Sequence, residues 1–209
     1  MTQPTDRECQ LPQIGELDEE AGEFWSANPF MIVQEGENLS AFERNRIYMN
    51  VKGSKFVDGS FASMADIDSD SRIAVSTDID GDGALDLLVG SAGGGPMRAF
   101  KNQLPQKNRV AIRFNGSDSN RTGVGVRVIA QAGGQEFVRD LFPSSGFMGI
   151  GPAELWVGVG DAEKIDRLTI RWPSGKTQEL TDIDVNQRLE ISEASDELRS
   201  LGSFTSTDK

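Results

Sequence analysis

Histidine is absent from the 209-residue chain, and cysteine occurs once, at Cys9. The first absence removes Ser-His-Asp and Cys-His nucleophile systems, imidazole proton transfer and the commonest transition-metal ligand. The second removes an internal disulfide and any cysteine-built zinc cluster. Basic residues are also scarce, with 21 Lys and Arg against 33 Asp and Glu, a net charge of -12. Phosphate-rich partners require the opposite balance, so no nucleic acid partner is expected and cations are the natural ligands. No apolar run is long enough to span a bilayer, and Met1 to Gln10 lacks the apolar centre of a signal peptide, so no membrane insertion is expected.

Glycine, by contrast, is plentiful. The 23 glycines are spread between short β-branched runs, a pattern of many turns and short strands that predicts an all-β class. Within the stretch TDIDGDGALDLLVG, Asp78, Asp80, Asp82 and Asp86 occupy positions one, three, five and nine of a loop that starts at Asp78, with Gly83 at position six and Ala84 at position seven. Alternate carboxylates of this kind converge on a hard cation that takes roughly six to eight oxygens, the glycine permits the sharp turn, and position seven offers its backbone carbonyl. The predicted metal ligands are therefore Asp78, Asp80, Asp82, the Ala84 carbonyl and Asp86, with calcium as the cofactor. The bland alternative is an acidic, solvated turn. An EF-hand would place a bidentate Glu at position twelve, where this chain has Val89, and the apolar run Leu85 to Val89 reads as a strand leaving the loop.

The D-x-D-x-D-G-x-x-D pattern followed by alternating apolar residues resembles the calcium loop of FG-GAP (VCBS-type) repeats, the blades of integrin-type β-propellers. Arg46-Ile47-Tyr48-Met49-Asn50 and Phe56-Val57-Asp58 resemble the segments that open such a unit, and Arg98 to Asn102 resembles the opening of a following one. A second acidic cluster, Asp66, Asp68 and Asp70, has Ser71 where a complete loop needs glycine and Ala74 where it needs a further acid. It reads as a partial or secondary metal site, or as solvated alternation on a strand or turn.

Beyond residue 105 steady alternation predicts strands at Arg109–Phe114, Val124–Ala130, Gln135–Phe142, Leu155–Val159, Ile165–Trp172, Thr177–Leu180 and Arg188–Ile191. Val126, Val128, Ile165, Leu168, Ile170, Leu189 and Ile191 are the expected core. Pro173-Ser174-Gly175-Lys176 supplies a hairpin turn. Ser119-Asn120-Arg121-Thr122-Gly123-Val124-Gly125-Val126-Arg127-Val128, Arg171-Trp172-Pro173-Ser174-Gly175 and Asn186-Gln187-Arg188-Leu189 resemble, in order, the signatures of the ASPIC/UnbV domain of cartilage acidic protein-like proteins. Two departures stand out: Trp156 to Gly160 replaces the H-F-G-L-G segment common in that family, and Gly149-Ile150 replaces a Ser-Gln.

The expected organisation is an acidic, partly disordered segment at 1–40, an FG-GAP-like calcium unit at 41–105, an ASPIC/UnbV-like β-sandwich at 106–193 and a polar, disordered or loosely docked tail at 194–209. One convincing repeat cannot close a propeller, so the unit is expected to be sealed by the sandwich, by the apolar cluster Phe24 to Val33, or by a second copy through exposed strand edges. The resemblance implies a non-catalytic calcium-binding interaction or adhesion module, extracellular, periplasmic or cell-surface, with a protein or polysaccharide surface ligand and with calcium in a structural role. One alternative is a carbohydrate-binding sandwich. For that, Phe147 and Trp156 are the candidate ligand contacts, with Phe142 and Trp172 also available, although alternation places Trp172 in the core. Another alternative is a hydrolase using a carboxylate pair or the aspartate-bound metal, which a filled calcium shell disfavours; no enzyme activity is expected. Sequons stand at Asn38, Asn115 and Asn120, the last read first as a turn residue.

Overall fold

A computed structural model describes residues 44–51, 53–67, 69, 71–91, 96–146 and 149–204. The segment 1–40, the Phe24 to Val33 cluster, Asp68, Asp70 and Phe147 lie outside these residues. Every regular element among the described residues is a β-strand, in keeping with the glycine-punctuated sequence, and the sheets close into neither a barrel nor a propeller. The described residues fall into two compact units, one within Met1–Arg72 and Gly90–Met97 and the other within Ile73–Val89 and Arg98–Lys209.

In the first unit β1 (Tyr48–Val51) and β2 (Lys55–Asp58) form an antiparallel hairpin, Tyr48 opposite Asp58 and Val51 opposite Lys55. Its polar residues do turn chemistry. Asn50 Oδ1 accepts from Gly53 N at 2.8 Å, and Asp58 Oδ1 accepts from Ser60 N at 2.9 Å. The Ser60 hydroxyl, buried, accepts from Ile47 N at 2.8 Å. Asp66 faces Arg44, which donates to its carbonyl at 3.0 Å and pairs with its carboxylate at 3.4 Å. Tyr48, Phe56, Phe61 and Met64 are exposed among the described residues.

The second unit contains most of a three-stranded sheet in the order β3 (Ser71–Thr77), β4 (Asp86–Ser91), β5 (Arg98–Phe100), with Leu87 opposite Phe100. The strand expected after the acidic loop is thus β4. The remaining strands are β6 (Asn108–Asn115), β7 (Arg127–Ala132), β8 (Gln135–Asp140), β9 (Ser144–Ser145), β10 (Gly149–Ile150), β11 (Leu155–Gly160), β12 (Lys164–Arg171), β13 (Thr177–Asp184), β14 (Gln187–Ser192) and β15 (Leu198–Ser203). Apart from the short β9–β10 pair, they make two four-stranded sheets, β11-β6-β14-β15 and β13-β12-β7-β8. All neighbours are antiparallel except β14 and β6, which run parallel with Leu189 opposite Ile112.

The core lies between these sheets. Val110, Ile112 and Phe114 of β6, Val157 of β11, and Leu189 and Ile191 of β14 face Val126, Val128, Ile165, Leu168 and Ile170. All seven residues expected in the core are fully buried. Trp172 is buried too, its ring edge-on to Phe114 at 5.5 Å and its Nε1 donating to Gln178 Oε1 at 3.0 Å, which satisfies the one polar atom of a core indole. Ile165 and Leu168 share the core although three residues apart. The burial phase shifts between them, where Asp182 on the neighbouring strand adopts a φ of +56° and the pairing is interrupted opposite Asp166.

The 194–209 tail differs from expectation. Residues 198–203 form edge strand β15, with Ile191 opposite Leu198 and Gln187 opposite Ser203. Its polar composition hides a strand because an edge needs backbone pairing on one side more than apolar side chains.

Candidate metal centre

The Asp78 loop is built by its own carboxylates. Asp78 Oδ1 accepts from Gly81 N at 2.8 Å and Oδ2 from Gly83 N at 3.0 Å; Asp82 Oδ1 accepts from Ala84 N at 2.8 Å. Asp86 ties the loop shut, taking Ile79 N at 3.1 Å on one oxygen and Asn102 N at 2.8 Å on the other. Gly83 is required twice over. Its φ is +79°, and a Cβ there would lie 2.4 Å from Phe204 Cγ and 2.6 Å from an Arg109 guanidinium nitrogen.

Oxygens of Asp78, Asp80 and Asp86 lie within 4.8 Å of one another. Oxygens on opposite sides of a hard cation with ligand distances of about 2.3–2.6 Å are separated by about 5 Å, so this trio fits such an ion. The Asp78 side chain is 1% exposed and Asp86 2%, so two of the three carboxylates are already out of water. Three of the four predicted carboxylates come together in this way. Asp82 stands outside the trio, with its Oδ2 at 3.6 Å from Lys101 Nζ, and Ala84 is buried with its amide held by Asp82.

The loop also carries cations of its own, which spacing alone did not reveal. Lys101 bonds Asp80, and that hydrogen bond holds the Asp80 carboxyl below its usual range while raising the Lys101 ammonium. Arg188 donates to Asp78 Oδ2 at 2.6 Å and pairs with Glu154 at 3.4 Å, while Arg113 donates to Glu154 at 3.0 Å. Arg109 donates to the Gly83 and Asp82 carbonyls, and burial pulls its guanidinium below the usual value against the opposing charges of Asp82 and Asp78. Above these sit stacked aromatics, Trp156 and Phe204 with centroids 5.4 Å apart and planes 16° apart. Arg188 belongs to the Asn186-Gln187-Arg188-Leu189 signature, so its position was marked in the sequence without its partner. Phe204 had no such mark.

The other signature residues serve the sandwich. Asn186 adopts a φ of +61° at the β13–β14 turn, and its side chain bonds Asn108 at 2.9 Å. Asn120 closes its loop through Val124, accepting from the amide at 2.9 Å and donating to the carbonyl at 2.7 Å, which is the role of a turn residue. Buried Glu193 accepts from the amides of Ser117, Asp118 and Ser119 and from the hydroxyls of Ser119 and Ser174, at 2.6–2.9 Å. Burial pushes its pKa up, but these hydrogen bonds outweigh burial and bring it down to about 2. Glu193 is a carboxylate filling an anion nest between the 117–119 loop and the Pro173–Lys176 turn. Its clue in the sequence was only the run of small polar residues before the Asn120 motif.

Of the sugar-contact candidates, Trp156 is half-buried beside the metal loop, Phe142 is exposed, Trp172 is core, and Phe147 lies outside the described residues. The class defined by fold and site is an open β-sandwich carrying a carboxylate loop on an adjoining sheet within one compact unit. Residues 116–198 match the family described as ASPIC and UnbV, which covers most of that sandwich. No curated protein sequence matches the chain.

Proposed function

We propose that this chain is a calcium-binding, non-catalytic module whose ion is structural. The observation that carries the reading is the convergence of Asp78, Asp80 and Asp86 oxygens within 4.8 Å, on a loop whose spacing resembles that of FG-GAP repeats. Buried Asp78 and Asp86 would hold the ion from inside and Asp80 from the solvent side. A bound divalent ion supplies charge neutralisation and fixes the chain entering β4. The loop spacing favours calcium over magnesium, which demands tighter octahedral geometry. Such loops work at the calcium levels found outside the cytosol, and the ASPIC and UnbV match joins this in supporting an extracellular, periplasmic or cell-surface interaction or adhesion role, toward a protein or polysaccharide surface. The absence of histidine from the sequence and the engagement of each loop carboxylate in hydrogen bonds support a non-catalytic reading.

Calorimetry tests it. Calcium should bind with micromolar to millimolar affinity and raise the melting temperature, by about 2.7 kcal/mol of stability at a hundredfold excess over Kd. Chelator should reverse the gain, magnesium should give less, and Asp80→Ala should abolish the response with the sandwich still folded. Absence of heat and of any melting shift at millimolar calcium would leave the loop an acidic turn.

A further inference from the structure

A cleft of about 220 Å³ opens in the second unit between the end of β3 and the segment 142–156. We propose that it binds one neutral sugar ring, such as the terminal residue of a glycan. The proposal goes beyond the calcium reading and does not require it.

Charge narrows the ligand first. Among the described residues no Lys or Arg lines the cleft, and the one acid there, Glu154, is neutralised by Arg113 at 3.0 Å and Arg188 at 3.4 Å. Anions therefore find no counter-charge and cations find no free carboxylate. Polarity narrows it further. Ser76, Thr77, Ser144 and Ser145 line the cleft, and none of their hydroxyls makes a hydrogen bond among the described residues, so groups that both donate and accept are at hand there. A purely apolar ligand would strand these hydroxyls, whereas a polyol matches them.

The aromatic component comes from Trp156 and Phe142. Phe142 lines the cleft and is 68% exposed, so its ring is open to an occupant. Trp156 is stacked on Phe204 at 5.4 Å, and the Arg188 guanidinium lies 5.7 Å from the Trp156 centroid and 5.4 Å from that of Phe204. Neither Phe204 nor Arg188 lines the cleft, so the indole surface that does is the part they leave uncovered. An indole packed by Phe204 and Arg188 that shares a cleft lining with serine and threonine residues is a platform for the C–H face of a pyranose. The volume falls below the roughly 300–1,000 Å³ of drug-sized sites, which limits the occupant to about one ring.

The test uses the full chain and ligand-observed saturation-transfer NMR with glucose, galactose, mannose and N-acetylglucosamine, each run with calcium and with chelator. At least one should show transfer with millimolar affinity and shift the Trp156 indole resonance. The double variant Ser144→Ala/Thr77→Val should weaken that sugar about tenfold with an unchanged melting curve. Phe142→Ala should weaken it as well, and because Phe142 is exposed the variant should fold normally. The proposal is overturned if none of the four sugars shows transfer at tens of millimolar, if the affinity is unchanged in both variants, or if only acidic sugars or peptides bind. Because the chelator arm is separate, a loop that fails to bind calcium leaves this result readable by itself.

Discussion

Asp78 is the residue at which two counter-charges compete. Its buried carboxylate is already paired with Arg188 at 2.6 Å, so an arriving cation does not meet a bare acidic cluster but one partly neutralised from within. Removing Arg188 from a largely desolvated pair leaves Asp78 and Glu154 short of a partner, a change that costs about 3–5 kcal/mol in buried settings and less here because Arg188 retains some exposure. Arg188→Met should therefore lower the melting temperature in chelator, and calcium should recover part of the loss by taking over the charge of Asp78. A loss of the same size in both conditions would separate Arg188 from the metal site. Lys101 gives the opposite expectation. It holds Asp80 and stands 3.6 Å from Asp82, so Lys101→Met removes both a competitor and a repelling charge. Calcium affinity measured by calorimetry should rise several-fold; an unchanged or weaker affinity would mean that Asp80 does not ligate the ion.

At the scale of elements, the sandwich is stapled by polar turns as well as by its apolar faces. Glu193, just after β14, is gripped by the loop that follows β6 and by the β12–β13 hairpin turn, and Lys176 of that turn bonds the Glu193 carbonyl. The folded-state pKa of about 2 lies below the ordinary value of 4.5. A carboxyl depressed by folding contributes its stability fully above its unfolded pKa and loses it as pH falls through the folded one. Wild-type stability should thus decline between about pH 4.5 and about pH 2 on account of Glu193. Urea denaturation across that window should show a shallower decline for Glu193→Gln, which has no proton to gain, and a lower plateau above it. Parallel profiles for the two proteins would remove Glu193 from the acid response.

For the molecule as a whole, the consequence is that the C-terminal segment belongs to the fold. Strand β15 covers the outer edge of β14, and Phe204 beyond it stacks on Trp156, with the Arg109 guanidinium 5.0 Å from its ring. Ending the chain after Asp196 would expose the β14 edge and uncover that stack at once. The truncated protein should melt at a lower temperature, aggregate on heating and bind calcium less tightly, because Arg109 and Gly83 lose the ring that packs the loop. A truncation that melts like the full chain would show that β15 adds nothing beyond pairing its own backbone.

Much of this was legible in the chain itself. Alternation of apolar residues with turn residues between them is a local signal, and it placed seven sandwich strands and a core from Val126 to Ile191 because side-chain direction in a strand has a period of two. Aspartate spacing in the 78–86 loop was legible for the same reason, since a nine-residue loop contains its own geometry. What only the tertiary structure decided lies between residues far apart in sequence. Arg188 meets Asp78 across 110 positions, Glu193 meets Ser117 across 76, and Phe204 fills the space that Gly83 leaves open. No periodicity encodes such partners. They arise because packing two sheets brings distant turns together, and buried charges then take whichever counter-charge the packing has placed within reach.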